Sequence, residues 1–488
     1  MNNTKEKIDW ENIKKVFFVG IKGVGMMPLS LIANEYGYEV EGSDIAEEFI
    51  TDEVLIENKI KVHEGFEENI VMKFFEGLDV KNYLVITTGA HGGYNNPQVR
   101  KAKDMGIKYL NQGQALGFFM TGVPFHKKTK GITVTGSHGK TTISAMCAVV
   151  LSELGLDPSY SVGTSRIMPL GPSGHLGNGE LFVAEGDEYV GEPVFDKTPK
   201  ILYQHPDYAI INNIDFDHPD IYKDMEDVKN VMKQFIMGMN EGGKLFLNAD
   251  DSELMNIKNQ LERNIEIITY GEVESDFRII NIQESVGSLD FSVVKNGNYY
   301  GEFSLQIPGI HNAKNAVPVI ALLDSLGKSY QEVKKAIFSY KGSKRRMEKV
   351  GTTSGGALII DDYGHHPVEI RSTIDAVKNF YNKKIVCVFQ SHTYSRTRNF
   401  LDDFSNSFSE VDELVLLPIF KSARDTESDI ISDEDFLSPF NDKLDKVFMA
   451  KSIEDAASYI KSQSYGSDFL VLTIGAGDVY KVGYEIKL

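Results

Sequence analysis

The sequence predicts an α/β protein with roughly three domains. Apolar strand-like runs such as VFFVG, GITVTG and FLVLTIGAG alternate with helical patterns along 488 residues, which is typical of parallel βαβ architecture. At about 150 residues per domain, this length favours three domains. Glycine, proline and basic residues interrupt the pattern near 121–131 and 340–349. We therefore predict domains at 1–123, 124–342 and 343–488.

The composition is that of a globular chain with a strong negative charge. Hydrophobic residues make up 42% and charged residues 25%, with a formal net charge of −19. Such a chain repels nucleic acid and anionic membranes, so we expect no nucleic-acid partner and no stable membrane association. Two cysteines and an N-terminus without an apolar core predict a cytoplasmic location. No pattern in the sequence determines the oligomeric state.

The first predicted strand runs into a glycine-rich turn, GIKGVGMM. Gly20, Gly23 and Gly25 precede a helix, an arrangement that lets backbone approach a diphosphate. Ser43 and Asp44 end the next strand, where the carboxylate can accept hydrogen bonds from a ribose or base. The G-x-x-G-x-G spacing differs from the dinucleotide G-x-G-x-x-G and therefore favours a nucleotide or nucleotide sugar over NAD. An ordinary tight turn is the alternative.

A second glycine loop, TVTGSHGKTT at 133–142, follows a short apolar strand and begins a helix. Its glycines supply backbone N–H groups, its lysine a cation for phosphate and its threonines a hydroxyl for Mg²⁺. The spacing is shorter than in the general P-loop. We assign phosphate binding to Gly136, Ser137, His138, Gly139, Lys140, Thr141 and Thr142.

Two acidic segments follow apolar strands of the predicted middle domain, AEGDE at 184–188 and NNIDFDHPD at 212–220. Each alone resembles a solvated turn. Beside a phosphate loop, however, the carboxyl ends of parallel strands are where metal ligands belong. We therefore predict Mg²⁺ ligands there. A two-residue Asn296-Gly297 signal within 278–307 also predicts a small antiparallel hairpin in this domain.

The remaining candidates surround the second predicted boundary and the last domain. Asn312 and Asn315 are spaced three apart, so amides on one helix face could read an adenine edge. Arg345 and Arg346 offer fixed cations for phosphate. Two strand ends, DDYGHHP and QSHTYSRTR, carry His, Asp and Arg residues that could bind an amino acid by its carboxylate and amine. The alternatives are that the two asparagines cap a helix, that the two arginines belong to a solvated basic linker, and that the two strand ends are ordinary surface loops.

Taken in order, these motifs resemble the Mur ligases, ATP-dependent amino-acid-adding enzymes of peptidoglycan synthesis. The resemblance covers nearly the whole chain and includes GIKGVGM, GSHGKTT, AEGDE, NIDFDH, HNAKNA, RRME, DDYGHHP, FQSHTYSRT and GAGD. It implies a three-domain architecture with a Rossmann-like N-terminal domain for a UDP-sugar, a central P-loop ATPase domain and a Rossmann-like C-terminal domain. Within the family, the motifs are most similar to the branch that joins L-alanine to UDP-N-acetylmuramate through an acyl phosphate.

The resemblance also implies roles for individual residues. Lys140 resembles the lysine that grips phosphate, Thr141 and Glu185 resemble ligands of one Mg²⁺, and His218 a ligand of a second. Asn312 and Asn315 look like adenine contacts, Asp362 a ribose contact and Arg346 a phosphate contact. His365, His392 and Arg396 fall where the family holds the amino acid. The implied cofactors are ATP and Mg²⁺.

Two departures leave alternatives open. Thr393 stands where the alanine-adding branch usually has arginine, and residues 195–222 are more similar to the recycling branch, which attaches a tripeptide of L-Ala-γ-D-Glu-diaminopimelate to the same UDP-sugar. A ligase for this tripeptide is therefore the second hypothesis. A non-catalytic regulator that binds a nucleotide sugar is the third.

Overall fold

The computed structural model describes residues 8–77, 79–216, 221–263, 265–420 and 430–488. The chain forms two compact units. The first comprises Met1–Ile280, Ser292–Phe303 and Lys314–Tyr340, and the second comprises Asn281–Phe291, Ser304–Ala313 and Lys341–Leu488. Within the described ranges, no helix is long and apolar enough to cross a membrane.

The first unit begins with a parallel sheet whose strands alternate with helices. In chain order the elements are β1 (Lys15–Val19), α1 (Met27–Tyr36), β2 (Glu39–Asp44), α2 (Asp52–Glu57), β3 (Lys61–Glu64), α3 (Glu68–Phe74), β4 (Tyr83–Thr87), α4 (Pro97–Asp104), β5 (Lys108–Asn111) and α5 (Gln112–Met120). The strands pair in parallel in the order β3-β2-β1-β4-β5. Because the order reverses beside β1, the ends of β1 and β4 flank the crevice where such sheets bind ligands.

Strand β1 shows why this sheet is buried on both faces. Val16 and Phe18 belong to one hydrophobic cluster. Phe17 and Val19 belong to a second cluster, because alternate side chains of a strand point to opposite faces. Burying each such side chain contributes about 1.5–3 kcal/mol. The helix that follows, α1, ends at Gly37 in the left-handed conformation that favours glycine.

A larger sheet follows along the chain. Its elements and those beside it are β6 (Lys130–Thr135), α6 (Lys140–Glu153), β7 (Ser159–Ile167), β8 (Gly171–His175), β9 (Leu181–Glu185), β10 (Val190–Glu192), β11 (Asp196–Pro199), β12 (Tyr208–Ile211), α7 (Met225–Gly238), β13 (Lys244–Asn248), α8 (Ser252–Lys258), β14 (Glu266–Gly271), β15 (Phe277–Ser285), β16 (Ser288–Lys295), β17 (Asn298–Leu305), α9 (Ile310–Ser325) and α10 (Tyr330–Phe338). The strand order is β17-β16-β15-β14-β13-β12-β6-β9-β7-β8, while β10 and β11 form a separate antiparallel pair. Strand β6 therefore lies between β12 and β9, and all three end at one edge.

The antiparallel element predicted within 278–307 is confirmed. Strands β16 and β17 are joined by Asn296 and Gly297, with φ of 50° and 77°. Positive φ at both central residues is what a two-residue type I′ hairpin turn requires. The structure adds strand β15, which precedes the predicted pair and lies beside β16.

The second unit contains a third sheet. Its elements are β18 (Glu348–Thr352), β19 (Leu358–Asp362), α11 (Pro367–Tyr381), β20 (Lys384–Phe389), α12 (Tyr394–Asn406), β21 (Glu413–Leu416), α13 (Asp433–Asn441), β22 (Val447–Met449), α14 (Ile453–Gln463), β23 (Phe469–Ile474) and α15 (Tyr480–Ile486). The order is β18-β19-β23-β20-β21-β22, with β18 antiparallel to β19 and the other pairs parallel. The predicted α/β class is confirmed, and the ends of β19 and β20 lie on either side of β23.

Candidate active site

The loop between β6 and α6 has a backbone that only glycine adopts without strain at two positions. Gly136 and Gly139 have φ of 131° and 83°. A Cβ on Gly139 would also lie 2.7 Å from Asn212 Nδ2 and 2.9 Å from Asn315 Oδ1. The loop leads directly into the N-terminus of α6, whose N–H groups and dipole favour an anion. This geometry supports phosphate binding at 136–142.

Lys140 lies at the start of α6, where its ammonium folds back over the loop. Its Nζ donates to Gly136 O at 2.6 Å and to Ser137 O at 3.2 Å, and it pairs with Glu188 at 3.1 Å. Burial disfavours the charged form, but nearby carboxylates led by Glu188 outweigh this effect and raise the lysine pKa. Lys140 is therefore a fixed cation at the phosphate loop.

Thr141 and Glu185 come together across the ends of α6 and β9. Thr141 Oγ1 donates to Glu185 Oε1 at 3.1 Å, and Gly163 N donates to Glu185 Oε2 at 2.8 Å. The hydroxyl and carboxylate are hard oxygen donors, which fit Mg²⁺. Within the described ranges, no cluster of three or more His, Cys, Asp or Glu residues is arranged to hold a metal. His218, the predicted ligand of a second ion, lies outside the described residues.

Amide side chains at the end of β12 shape the phosphate loop. His138 N donates to Asn213 Oδ1 at 2.7 Å, and Asn212 Nδ2 donates to His138 O at 3.1 Å. His138 also approaches Asp215 at 3.3 Å, and Ser137 N donates to Asn213 O at 3.2 Å. From sequence, the segment 212–220 is predicted only to supply metal ligands. Asn212 and Asn213, at the start of this segment, hydrogen-bond directly to the phosphate loop. Within the loop, Thr142 is half-buried in the first turn of α6.

The two candidate adenine contacts lie in the first turns of α9. Asn312 is buried, and its Nδ2 donates to Pro308 O at 2.6 Å. Asn315 is also buried, and its Oδ1 accepts from Asn212 Nδ2 at 3.3 Å. The structure therefore brings Asn315, but not the Asn312 amide, into contact with the residues that hold the phosphate loop.

The glycine turn after β1 lies at the crevice of the first sheet. Gly20 has φ of 79°, and a Cβ there would overlap the Thr88 methyl group. Gly23 O accepts from Met26 N at 2.8 Å, which begins α1. Gly25 O accepts from Gln112 Nε2 at 3.2 Å. The three predicted glycines thus form one tight turn against β4 and α5.

Asp44 is buried at the end of β2, and its carboxylate holds the same turn. Its Oδ2 accepts from Lys22 N at 2.8 Å and its Oδ1 from Ile45 N at 2.9 Å. His91 Nε2 lies 3.5 Å from Oδ1. The hydroxyl of Ser43 is buried and donates to Gln98, so the main chain of Ser43, rather than its side chain, contacts the glycine turn.

In the second unit the two adjacent arginines have different environments. Arg345 is buried, pairs with Asp361 at 3.2 Å and donates to Gly477 O at 3.1 Å. Burial raises the pKa of Asp361 to about 6 although Arg345 opposes the shift. Arg346 is half-buried, with its guanidinium 5.1 Å from the centre of the Tyr363 ring. Of the two, Arg346 has the more accessible cation.

Asp362 organises the loop that follows β19. Its Oδ2 accepts from Met347 N at 2.9 Å, and its Oδ1 accepts from Gly364 N at 2.9 Å and from Thr373 Oγ1 at 3.2 Å. Two lone pairs on each oxygen leave capacity for a further donor. The structure places this predicted ribose contact at the carboxyl edge of the third sheet.

His365 lies in this loop and carries a perturbed pKa. Burial lowers the pKa of the imidazole to about 4, and Arg396 and Arg346 contribute to the same shift while Glu369 opposes it. Its Nδ1 lies 3.3 Å from Tyr363 O. The structure thus groups His365, Arg396 and Arg346, and it keeps the imidazole neutral near pH 7.

His392 and Arg396 lie at the end of β20 and the start of α12. The His392 ring stacks on Phe420, with 5.3 Å between ring centres. Thr393, which lies between His392 and Arg396 in the sequence, caps α12 by accepting from Arg396 N at 3.3 Å. Thr393 has φ of 69°, which is rare for a β-branched residue. The residue that departs from the family pattern therefore occupies a strained position.

Sequence reasoning did not identify the carboxylate that pairs with the phosphate-loop lysine. Glu188 is the last residue of AEGDE, and Glu185 is its first glutamate. No spacing rule distinguishes the two glutamates, because the direction of the chain after β9 determines which of them reaches Lys140. His91 was also missed, since a lone histidine after β4 gives no sequence signal.

Comparison with known proteins gives one consistent family. Residues 15–123 match the Mur ligase family, catalytic domain, residues 134–323 the Mur ligase middle domain, and residues 345–477 the Mur ligase, glutamate ligase domain. These matches fall within the three predicted domains.

Relatives of known name match over nearly the full length. The UDP-N-acetylmuramate–L-alanine ligase of Desulfitobacterium hafniense is 35% identical over 96% of this chain and 99% of its own. The enzyme of the same name from Caldanaerobacter subterraneus is 35% identical over 98% of both chains. The crystal structure of a UDP-N-acetylmuramate-alanine ligase from Thermotoga maritima is 26% identical, with a TM-score of 0.78 over 97% of this chain and 98% of that one.

Proposed function

This chain belongs to the Mur ligase family, and we propose that it is an ATP-dependent ligase that joins L-alanine to UDP-N-acetylmuramate. The observation that carries the proposal is the phosphate loop with Lys140 paired to Glu188 and Thr141 bonded to Glu185. It is supported by full-length similarity to two alanine ligases.

The reaction consists of two displacements. A muramoyl carboxylate oxygen attacks the terminal phosphorus of ATP, and ADP leaves. The amine nitrogen of L-alanine then attacks the acyl carbon, phosphate leaves, and the amine proton is released as the amide forms. A carboxylate is a poor electrophile, and phosphorylation gives it a leaving group. Lys140 and the loop N–H groups would stabilise the charge that develops on the transferred phosphoryl group.

Thr141 and Glu185 would hold Mg²⁺, which supplies charge neutralisation between the carboxylate and the triphosphate. Both donors are oxygen atoms, and both lie beside the phosphate loop. His218 stays a predicted ligand of a second ion. At the loop itself, Gly136, Ser137, His138, Gly139 and Thr142 would shape and present the phosphate-binding backbone.

We assign the sugar nucleotide to the crevice of the first sheet. Gly20, Gly23 and Gly25 would admit the diphosphate at the N-terminus of α1, and Asp44 fixes the turn that does so. Ser43 would contribute through its main chain, because its hydroxyl donates to Gln98.

The C-terminal residues would bind the amino acid and contact ATP. A neutral imidazole at His365 can accept a hydrogen bond from the amine, and Arg396 can pair with the amino-acid carboxylate. His392 would border this site. We assign Arg346 to phosphate, Asp362 to ribose, and Asn312 and Asn315 to adenine. Domain limits of 1–123, 124–342 and 343–488 and a cytoplasmic location complete the proposal.

The tripeptide ligase is the second candidate, favoured by Thr393 and by residues 195–222. Part of that segment has a different role in the structure. Asp196 accepts from Asn111, Gln114 and Tyr203, and Lys200 pairs with Asp187 at 2.7 Å. These side chains hold the hairpin in place, so their likeness to the recycling branch does not by itself identify the amine.

An isotope experiment tests the proposed chemistry. UDP-N-acetylmuramate labelled with ¹⁸O in its carboxylate is incubated with ATP, Mg²⁺ and L-alanine, and both products are analysed by mass spectrometry. The proposal predicts one ¹⁸O in the released phosphate for each amide formed. Amide formation with unlabelled phosphate would contradict the acyl-phosphate route.

A further inference from the structure

The hairpin of β10 and β11 carries a fully buried carboxylate, Glu192. Its Oε1 accepts from Tyr94 N at 3.4 Å, and its Oε2 accepts from Val194 N at 2.9 Å and from Phe195 N. A buried carboxylate is costly unless hydrogen-bond donors surround it. Here the donors are backbone N–H groups from two places, the hairpin tip and the loop after β4.

The loop after β4 (residues 88–95, the β4 loop) packs tightly against this hairpin. A Cβ on Gly93 would overlap Glu192 Oε1, and a Cβ on Gly89 would lie 2.8 Å from Gly191 O. Side chains larger than hydrogen therefore do not fit at either position without movement. The hairpin fixes the position of the β4 loop from one side.

The other side of the β4 loop faces the glycine turn after β1. Thr88 packs on Gly20, and His91 Nε2 lies 3.5 Å from Asp44 Oδ1. Asn96 Nδ2 donates to His91 O at 3.0 Å and holds this part of the loop. The β4 loop is thus enclosed between Glu192 and the residues to which we assign the sugar nucleotide.

A second carboxylate of the hairpin anchors it to α5. Asp196 Oδ2 accepts from Asn111 Nδ2 at 3.2 Å, from Gln114 Nε2 at 3.3 Å and from Tyr203 OH at 2.5 Å. Gly113 of α5 lies directly against Lys200, whose Nζ pairs with Asp187 at 2.7 Å. The same short segment therefore contacts the first sheet at one end and the acidic segment beside the phosphate loop at the other.

We propose that Glu192 is a positioning residue for the sugar-nucleotide site, acting through the β4 loop. This inference rests on the proposed function, because that function places UDP-N-acetylmuramate beside the loop. Replacing the carboxylate by an amide would direct an NH₂ group at one of the backbone N–H donors. The β4 loop then loses its support, and the sugar nucleotide loses affinity while the ATP loop, which Glu192 does not contact, is unaffected.

Glu192→Gln tests the proposal by calorimetric titration of UDP-N-acetylmuramate without ATP, followed by steady-state kinetics. The expected result is a weakening of UDP-N-acetylmuramate binding by about tenfold, which corresponds to about 1.4 kcal/mol. KM for this substrate rises in parallel, while KM for ATP stays within twofold. A purely structural role would instead reduce the amount of active protein and lower kcat with every KM unchanged.

Glu35→Gln is the matched control. Glu35 lies at the other end of α1, where its carboxylate accepts from Leu176 N at 2.7 Å and pairs with His175 at 3.0 Å. This substitution is chemically identical and also affects a contact between the first and second sheets. It is expected to leave UDP-N-acetylmuramate affinity unchanged. Equal effects of both substitutions would overturn the assignment to the β4 loop.

Asp196→Asn provides a second variant if Glu192→Gln does not fold. It is expected to raise KM for UDP-N-acetylmuramate and not for ATP, because it loosens the same hairpin on α5. Wild-type affinity in either folded variant overturns the inference and leaves the proposed function intact. No binding of UDP-N-acetylmuramate to the wild-type chain would overturn the proposed function, and the inference with it.

Discussion

Lys140 and Arg345 are both buried basic residues, but their partners differ. Arg345 is enclosed by Asp361 and by the carbonyl groups of Gly475 and Gly477, and rings of Tyr363 and Tyr480 cover it. These contacts satisfy its guanidinium within the fold. Lys140 contacts loop carbonyls and Glu188 at the edge where three strands end. Lys140 is therefore placed where its ammonium group can bind an anionic ligand.

Replacing Lys140 by alanine should lower kcat by about 10²–10³-fold, the usual cost of removing one donor to developing charge. The reason is that the fixed ammonium at the phosphate loop is lost. Lys335→Ala is the control, because Lys335 is 78% exposed and pairs with Glu153, which is not one of the candidate site residues. Near-wild-type turnover in Lys140→Ala would show that this loop does not act on ATP.

The perturbed histidine gives a pH prediction. Burial lowers the pKa of His365 to about 4 from 6.5. Between these values the unfolded chain binds a proton that the folded chain does not, so stability falls as pH drops through this window. His365→Gln should flatten this dependence in urea unfolding at several pH values. An imidazole NMR titration of His365 centred near pH 6.5 would contradict the account.

At this scale the sequence predicts a site where its chemistry depends on neighbours along the chain. Gly136, Lys140 and Thr141 follow one another within a single loop, so their spacing alone predicted a phosphate site. Glu188 and Asn213 contact that loop from other strand ends, and only the strand order brings them there.

At the scale of elements, strands buried on both faces and the hairpin marked by Asn296-Gly297 were predicted, whereas β8 and the β10–β11 hairpin were not. Strand β20, KIVCVF, is almost wholly apolar. Strand β8, GPSGH, and the β10–β11 hairpin contain glycine, proline and charge, so they lack an apolar or alternating pattern. Gly174 of β8 lies against the backbone of Pro28 in α1, and Asp196 of β11 accepts from Gln114 of α5, contacts that no local pattern encodes.

The two ends of helix α6 offer a matched pair of glycines. Gly139→Ala should destabilise the loop and weaken ATP binding, because φ is 83° and the new Cβ would contact Asn212 and Asn315. Gly155 has φ of 68° but nothing within 4 Å, so Gly155→Ala should cost only about 1–2 kcal/mol of backbone strain. Fluorescent ATP-analogue titration and thermal unfolding would separate these effects. Equal ATP affinity in both variants would contradict the assigned loop geometry.

The start of α12 should tolerate glycine. Thr393 adopts φ of 69°, and such strain costs about 1–3 kcal/mol. Replacing a threonine cap by glycine costs a few tenths of a kcal/mol. The greater conformational entropy of glycine in the unfolded chain costs about a further 0.4–1 kcal/mol. Thr393→Gly should therefore stabilise the protein by up to about 1 kcal/mol in chemical unfolding. Ser432→Gly, which alters a cap with ordinary backbone φ of −68°, is the control and should destabilise slightly. A loss of stability in Thr393→Gly would show that the backbone of Thr393 is not strained.

At the scale of the whole molecule, the net charge of −19 opposes binding of anionic substrates. The proposed sites would offset this locally, with glycine turns at helix N-termini, Lys140 at the phosphate loop, and Arg346 and Arg396 near His365. The order of motifs along the chain predicted these sites because each follows a strand of a parallel sheet. The sequence leaves the amine open between L-alanine and the tripeptide, because Thr393 departs from the pattern of the alanine-adding branch.

In the proposed reaction, this protein uses ATP to activate the carboxylate of UDP-N-acetylmuramate for attack by L-alanine. The most direct test offers L-alanine and the tripeptide L-Ala-γ-D-Glu-diaminopimelate at equal concentration in one reaction with ATP, Mg²⁺ and UDP-N-acetylmuramate. Mass spectrometry then identifies the product. We expect the L-alanine adduct, with one ADP released per amide. A tripeptide adduct alone would place the chain in the recycling branch, and no adduct with either amine would contradict a ligase function.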